Sequence, residues 1–412
     1  MDNRTFVFKG YDNKIEEGEI AFYYSIIGSS ETLNFKEKIS LPAADTANIP
    51  ENLIKSLLDS ILLILGISYW KTYCPKNIEL NNLKLTKDQA SFWNTVYTKG
   101  LGEFFYKNKI NFKGLVQFPY DENVSFSPAP FSRKERSLLP LGGGKDSIVS
   151  AELLKEQNKP FDILTVGTSQ IQEEVAEVMG KKPIVIKRKL DPQLFELNKQ
   201  KDTYNGHIPI SAVYAFLGLL SAVLYDYNSV VVGNEKSANY GNVEYLGEVI
   251  NHQWSKSEEF EKLFVDYIAK FVKADVSYSS PLRNMSELEV TSEFVKHKQY
   301  FKVFSSCNTN FKINNPSGSA EDHRWCGKCA KCLFVFIMLS AFIPKNEVLD
   351  IFGKNLLDDQ TLLPLLEQLL GLRDIKPFEC VGTPDEVKEA LVKTSEKGEF
   401  ENSLLMNYFQ KL

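Results

Sequence analysis

Between residues 137 and 234 the hydrophobic positions fall into short dense runs separated by amphipathic stretches. The runs at 137–141, 161–167, 182–188 and 229–234 are rich in Leu, Ile, Val and Phe. The stretches 145–157, 171–180 and 209–227 carry apolar residues at helical spacing. Strands alternating with helices predict an α/β fold whose parallel sheet has helices on both faces. Three runs end in polar or glycine-rich turns, at 142–147, 167–170 and 233–239. Ligands of such sheets gather at the carboxyl ends of the strands.

The flanking patterns differ. Residues 1–130 mix strand-like runs (5–11 and 18–28) with helical spacing (52–66 and 86–108), which predicts an α+β N-terminal domain. Nothing in it has metal-ligand or triad spacing. Residues 118–137 are rich in Pro, Ser and charge and read as a linker. A second domain then spans 131–344. Residues 345–412 read as a helical C-terminal region, with amphipathic stretches at 356–371 and 384–396.

Charge and composition narrow the function. With 48 Lys+Arg against 53 Asp+Glu the chain is slightly acidic, which argues against broad nucleic-acid binding. No run reads as long and apolar enough to span a membrane; 212–225 and 332–344 fit buried helices better. The N-terminus lacks a cationic start followed by an apolar segment, so a cytoplasmic protein is expected. The six cysteines are too few for a disulfide scaffold. Cys74 and Cys380 are isolated, which predicts ordinary packing.

The first chemistry lies at residues 139–154, "LPLGGGKDSIVSAELL". Glycines after a strand expose successive N–H groups to an anion, and the following helix adds its positive end. Lys145 supplies charge and Ser147 a hydroxyl, while Asp146 suits a phosphate site that includes Mg²⁺. The spacing is neither that of a Walker A loop nor that of a dinucleotide fingerprint. The turn does resemble the S-G-G-x-D-S loop of the PP-loop ATP pyrophosphatases, matched by Gly142, Gly143, Gly144, Lys145, Asp146 and Ser147 with Gly142 in place of the first Ser. The resemblance implies an adenine nucleotide alpha hydrolase-like fold and cleavage of ATP to AMP and pyrophosphate. Residues 280–290 look like a later P-L-x-x-x-x-K-x-E segment, with Ser286 or Glu287 near the expected Lys.

The second chemistry is the run Cys326, Cys329 and Cys332 with Cys307 upstream. Four thiolates can hold one structural Zn²⁺, with His323 as an alternative fourth ligand. The same spacing suits a [4Fe–4S] cluster or plain reduced cysteines.

A PP-loop with a late cysteine cluster is also found in 7-cyano-7-deazaguanine synthases, whose chains are much shorter and lack the N-terminal domain. Residues 205–212, 231–242 and 250–261, together with 142–150, 325–336, 68–80 and 97–104, resemble the MurL-type UDP-N-acetylmuramoyl-L-alanyl-L-glutamate epimerases, in the same order from about residue 5 to 345. That resemblance implies inversion of the terminal L-Glu of UDP-MurNAc-L-Ala-L-Glu, with ATP and Mg²⁺, through a glutamyl-adenylate. In this reading Gly142 to Ser147, Asn234 and Ser237 hold the nucleotide. Glu235 binds Mg²⁺ or acts as a base, and Asp146 and Lys236 are counted with it as catalytic. His207 and His252 exchange protons near neutral pH or serve as structural hydrogen-bonding groups. Asn239, Lys256 and Arg283 meet substrate anions, or the two cations are solvated charges. The rival readings are another adenylating enzyme, such as a deazaguanine synthase or tRNA-modifying ligase, and a non-catalytic nucleotide-binding module. No nucleic-acid or membrane partner is expected.

Overall fold

The computed structural model describes residues 4–124, 131–272, 275–311, 324–373 and 375–412. Its strands are β1 (Thr5–Lys14), β2 (Glu19–Ile27), β3 (Thr32–Ser40), β4 (Asn77–Leu80), β5 (Ser137–Pro140), β6 (Phe161–Val166), β7 (Ile184–Lys189), β8 (Ser229–Val231), β9 (Val243–Tyr245), β10 (Glu248–Ile250) and β11 (Ser277–Ser279). Nine of them form one sheet in the order β11-β8-β5-β6-β7-β3-β2-β1-β4, and β9 and β10 make a separate hairpin. The run from β11 to β7 is parallel throughout. β3 joins it antiparallel to β7, so the N-terminal strands extend the same sheet.

The dense apolar runs follow from burial on both faces. In β5, Leu138 faces one core and Leu139 the other; in β6, Leu164 and Ile163 divide in the same way. Side chains alternate along a strand, so a strand covered on both sides must be apolar at consecutive positions. The first core contains the helices Glu51–Trp70, Lys87–Gly100 and Ile210–Leu224. The second contains Lys145–Glu156, Gln170–Met179, Glu287–Phe294, Ala330–Ser340 and Pro384–Glu396.

Three local expectations need correction. The helix Glu51–Trp70 is long and apolar enough to cross a membrane by length and composition, but 89% of its apolar window is buried inside the protein. The helical stretch 86–108 divides at Leu101 into Lys87–Gly100 and Gly102–Lys107. The stretch 356–371 is α-helical only over Leu363–Leu369, preceded by short 3-10 turns at Leu356–Asp358 and Gln360–Leu362; Pro364 occupies the first α-helical turn and is tolerated because it needs no N–H partner there.

Strand order reverses at β5: β6 and β7 continue on one side, β8 and β11 on the other. The crevice outside the carboxyl ends of β5 and β8 is therefore the switch point of the sheet, where ligands of open α/β folds bind.

Candidate active site

The turn after β5 is built for close approach. Gly143 has φ +88°, and Gly144 precedes the helix Lys145–Glu156 in extended geometry. A side chain on Gly143 would stand 2.7 Å from Ile171 Cγ2, whereas Gly142 has open space around it. The turn after β8 packs against this one, because a Cβ on Gly233 would lie 2.8 Å from the carbonyl of Asp146. The loop after β11 completes the wall: Ser280 Oγ accepts from Asn234 N (3.0 Å) and donates to Asn234 O (2.8 Å).

Three carboxylates and three lysines meet where these loops converge. Lys145 Nζ, almost fully buried, pairs with Asp146 Oδ1 at 2.6 Å and with Glu287 Oε2. Burial opposes the Lys145 charge, but Asp146 and Glu287 outweigh it and hold its pKa above the ordinary lysine value. Burial also opposes the charge on Asp146, yet Lys145, Lys331 and Lys256 bring its pKa down to about 2. Glu235 goes the other way. Burial, then Glu287 and Asp146, push it up to about 7 against the pull of Lys256 and Lys145. Its Oε2 is buried and has no hydrogen-bond partner among the described residues.

A second cluster adjoins the first through Lys256. Lys256 Nζ lies 3.6 Å from Cys380 Sγ, and Lys331 Nζ donates to the Cys380 carbonyl. His252 Nδ1 is 2.5 Å from Glu103 Oε2, which also lies 3.4 Å from His207 Nδ1. The segment carrying Cys380 is held by Asn242, whose Nδ2 donates to Pro377 O at 2.8 Å and whose Oδ1 accepts from His252 N at 2.8 Å. Burial raises the Cys380 thiol, but Lys256, His252 and Lys331 outweigh it and bring the pKa to about 6. Burial disfavours a charged His252, yet Cys380 and Glu103 raise it to about 9. Burial and the neighbouring His252 depress His207 to about 3, Glu103 opposing. Neither ring titrates near neutrality here: His252 stays protonated and His207 neutral.

The residues singled out from sequence divide by place. Gly142 to Ser147, Asn234, Glu235 and Lys256 line the same junction, with Ser147 Oγ donating to Gly144 O at 3.0 Å. Ser237 is close by but committed to Glu386, its Oγ donating at 2.7 and 2.8 Å. Lys236 is exposed. Asn239 is also exposed, its Oδ1 accepting from Glu258 N at 2.8 Å. Arg283 acts as an internal clamp, donating to Glu261 Oε2 (2.6 Å), Lys256 O (2.9 Å) and Glu235 O (3.3 Å). Glu287, at the position of the expected lysine, instead receives Lys145 from the glycine turn.

Glu103 and Cys380 were not singled out as site residues from the sequence. Glu103 comes from an N-terminal region that lacked ligand or triad spacing, and Cys380, beside Lys256 Nζ, is not the ordinary packing residue its isolation implied. Only Glu103 stood within a family-like stretch, 97–104.

The four cysteines Cys307, Cys326, Cys329 and Cys332 do converge, with all Sγ atoms within 4.8 Å of one another. Cys332 Sγ is 3.6 Å from Cys326 Sγ and 3.5 Å from Cys329 Sγ. A tetrahedron of zinc–sulfur bonds has S···S edges of about 3.8 Å, so the donor set fits Zn²⁺. His323 lies outside the described residues.

Comparison with known proteins gives one family across the chain. The family described as the MurL N-terminal domain matches residues 1–281, and that of the MurL C-terminal domain matches 303–411. A UDP-N-acetyl-alpha-D-muramoyl-L-alanyl-L-glutamate epimerase of Xanthomonas oryzae pv. oryzae is 39% identical over 90% of this chain and 82% of its own length. Another, from a Micromonospora species, is 36% identical over 95% and 86%. Among solved structures, a predicted subunit of tRNA methyltransferase from Methanocaldococcus jannaschii is 19% identical over 39% of this chain and 74% of its own. Its TM-score of 0.24 carries no argument.

Proposed function

The chain belongs to the MurL family of UDP-N-acetyl-α-D-muramoyl-L-alanyl-L-glutamate epimerases, and from that membership we propose that it inverts the terminal L-Glu of UDP-MurNAc-L-Ala-L-Glu with ATP, through a glutamyl-adenylate. It is thus an isomerase of peptidoglycan precursor synthesis, which sets aside the deazaguanine, tRNA and non-catalytic readings. The observation that carries the use of ATP is the glycine-rich turn at the switch point, fitted against Gly233 and backed by carboxylates and lysines.

The chemistry explains why an epimerase would need such a site. A free carboxylate beside Cα resists deprotonation, because the carbanion adds charge to an anion. A carboxylate oxygen attacking the α-phosphorus releases pyrophosphate and leaves an acyl-adenylate. Its carbonyl accepts the electron pair when the α-proton leaves. Reprotonation from the opposite face and hydrolysis of the acyl bond then give D-Glu and AMP.

The residues divide this work. An anion at the turn would meet the N–H groups of residues 142–144 and the start of the helix Lys145–Glu156, with the charges of Lys256 and Lys331 beside it. Lys145 keeps Asp146 and Glu287 paired and in place. Asp146 and Glu235, with its unpartnered Oε2, suit Mg²⁺, which when bound neutralises phosphate charge. Arg283 fixes the backbone on which Glu235 and Lys256 stand. The cysteine cluster suits a structural Zn²⁺ that would tie Cys307 to the start of the helix Ala330–Ser340. Elemental analysis should find one zinc per chain; iron with a brown colour would assign the same thiolates to an iron–sulfur cluster. We place the reaction in the cytoplasm, where ATP is available, with no nucleic-acid or membrane partner.

The test is incubation with UDP-MurNAc-L-Ala-L-Glu, ATP and Mg²⁺ in D₂O. Deuterium at Cα, conversion to D-Glu and equimolar AMP are expected, all dependent on ATP. Inversion without AMP would remove the adenylate while keeping the epimerase.

A further inference from the structure

Cys380 sits in an environment that a packing cysteine does not need. The residue is half-buried, Lys256 Nζ is 3.6 Å from its sulfur, and the His252 side chain is near enough to favour its thiolate. Behind His252 stands Glu103, 2.5 Å from Nδ1 and only 6% exposed, in the order thiol, imidazole, carboxylate. Such an order sets the orientation of the ring and favours its protonated form. Four cationic groups face the sulfur: Lys256 and His252 from the loop after β10, Lys331 from the helix Ala330–Ser340, and Lys376 from its own segment. Glu103 reaches it through the imidazole.

Two buried polar atoms near these clusters have no partner among the described residues. Gln253, whose Nε2 donates to Val381 O at 3.4 Å beside Cys380, has Oε1 buried without a partner among the described residues, as has Glu235 at Oε2. Buried acceptors of this kind are normally satisfied, so both point to a polar ligand between the carboxylate cluster and the sulfur. The two clusters therefore offer an adenylating end and, across Lys256, a thiolate.

Resting on the epimerase reading above, we propose that the Cys380 thiolate is one of the two proton-transfer groups acting at the glutamate Cα, with His252 and Glu103 as its positioning residues. The sulfur takes the α-proton: the C–H bond breaks, an S–H bond forms, and the electron pair moves onto the carbonyl oxygen of the acyl-adenylate. A protonated carboxyl or ammonium group on the opposite face returns a proton to Cα, and the thiol then loses its own to solvent. With a pKa of about 6, the sulfur is unprotonated at neutral pH without a separate base to activate it.

The experiment compares wild type with Cys380→Ser in two readouts on UDP-MurNAc-L-Ala-L-Glu: substrate-dependent exchange of pyrophosphate into ATP, and inversion with deuterium uptake in D₂O. Cys380→Ser should keep the exchange, showing a folded adenylating site, and lose inversion by at least about 100-fold. In wild type the inversion rate should fall on the acid side of about pH 6, and His252→Gln should move that limb upward towards the free-thiol value of about 8.5. Iodoacetamide at pH 7, read by peptide mapping, should alkylate Cys380 faster in wild type than in His252→Gln. Inversion by Cys380→Ser within about threefold of wild type, far short of that loss, would overturn the inference and leave the epimerase standing. Loss of exchange together with inversion would also overturn it, by making Cys380 part of the adenylating site. A wild-type protein that neither exchanges nor inverts would instead bring down the underlying reading, and the inference with it.

Discussion

Gly142 and Gly143 share one turn, but the structure demands glycine only at the second. Gly143 has φ +88°, and a Cβ there would strike Ile171 Cγ2 at 2.7 Å. Gly143→Ala should therefore destabilise the protein by about 1–3 kcal/mol, read by urea denaturation. A Cβ on Gly142 would meet nothing within 4 Å, and its φ is not positive, so Gly142→Ser should stay within about 0.5 kcal/mol of wild type. Equal losses at the two positions would contradict this picture of the turn. The sequence made the turn visible because three glycines between a strand and a helix are costly unless the backbone needs them. Which glycine is indispensable depended on Ile171, whose position no local pattern reveals.

Among the elements, the joint between β3 and β7 turns the N-terminal strands and the parallel strands into one sheet. It carries a buried ion pair. Arg188 Nε lies 2.5 Å from Glu37 Oε1, Glu37 is fully buried, and Arg188 Nη2 donates to Ser68 Oγ at 2.8 Å. Removing one partner strands a charge in the interior. Glu37→Ala should therefore cost about 3–5 kcal/mol in denaturant unfolding. The double substitution Glu37→Met with Arg188→Leu should recover most of that loss, because no charge is left unpaired. A single substitution costing under about 1 kcal/mol would show the pair to be solvated instead. The strands 5–11 and 18–28 and the alternation after residue 137 were legible from side-chain pattern. The joint was not, since β3 carries Lys and Glu at positions that look solvent-facing until Arg188 is placed opposite.

Across the whole molecule, the Glu103–His252 pair ties the helix Gly102–Lys107 to the loop after β10, 149 residues away. Burial opposes the Glu103 charge, but His252 and His207, with Lys107, outweigh it and lower its pKa from 4.5 to about 2. Its contribution to stability is present above pH 4.5 and is lost as pH falls through about 2. His252, raised from 6.5 to about 9, contributes fully below pH 6.5 and loses this as pH rises through about 9. His207 works the other way, because below pH 6.5 the unfolded chain takes up a proton that the folded ring refuses until about pH 3. The stability gap between wild type and Glu103→Gln should thus be widest between pH 4.5 and 6.5 and narrow on both sides. Thermal unfolding across pH measures it, and a gap independent of pH would show that the pair carries no charge.

The sequence by itself determined the alternation of strands and helices, the glycine turn, the four clustered cysteines and the family. These depend on neighbours along the chain or on separated motifs kept in order. Only the tertiary structure decided that Glu103, His252 and Cys380 form one relay, that Arg283 is a clamp, and that Lys236 and Asn239 face solvent. Charge and burial at those positions are set by residues more than a hundred places away for the relay, and by side-chain direction for the others. The sheet order that brings those segments together arises from packing both faces of the parallel strands, a constraint that no local pattern in the sequence records.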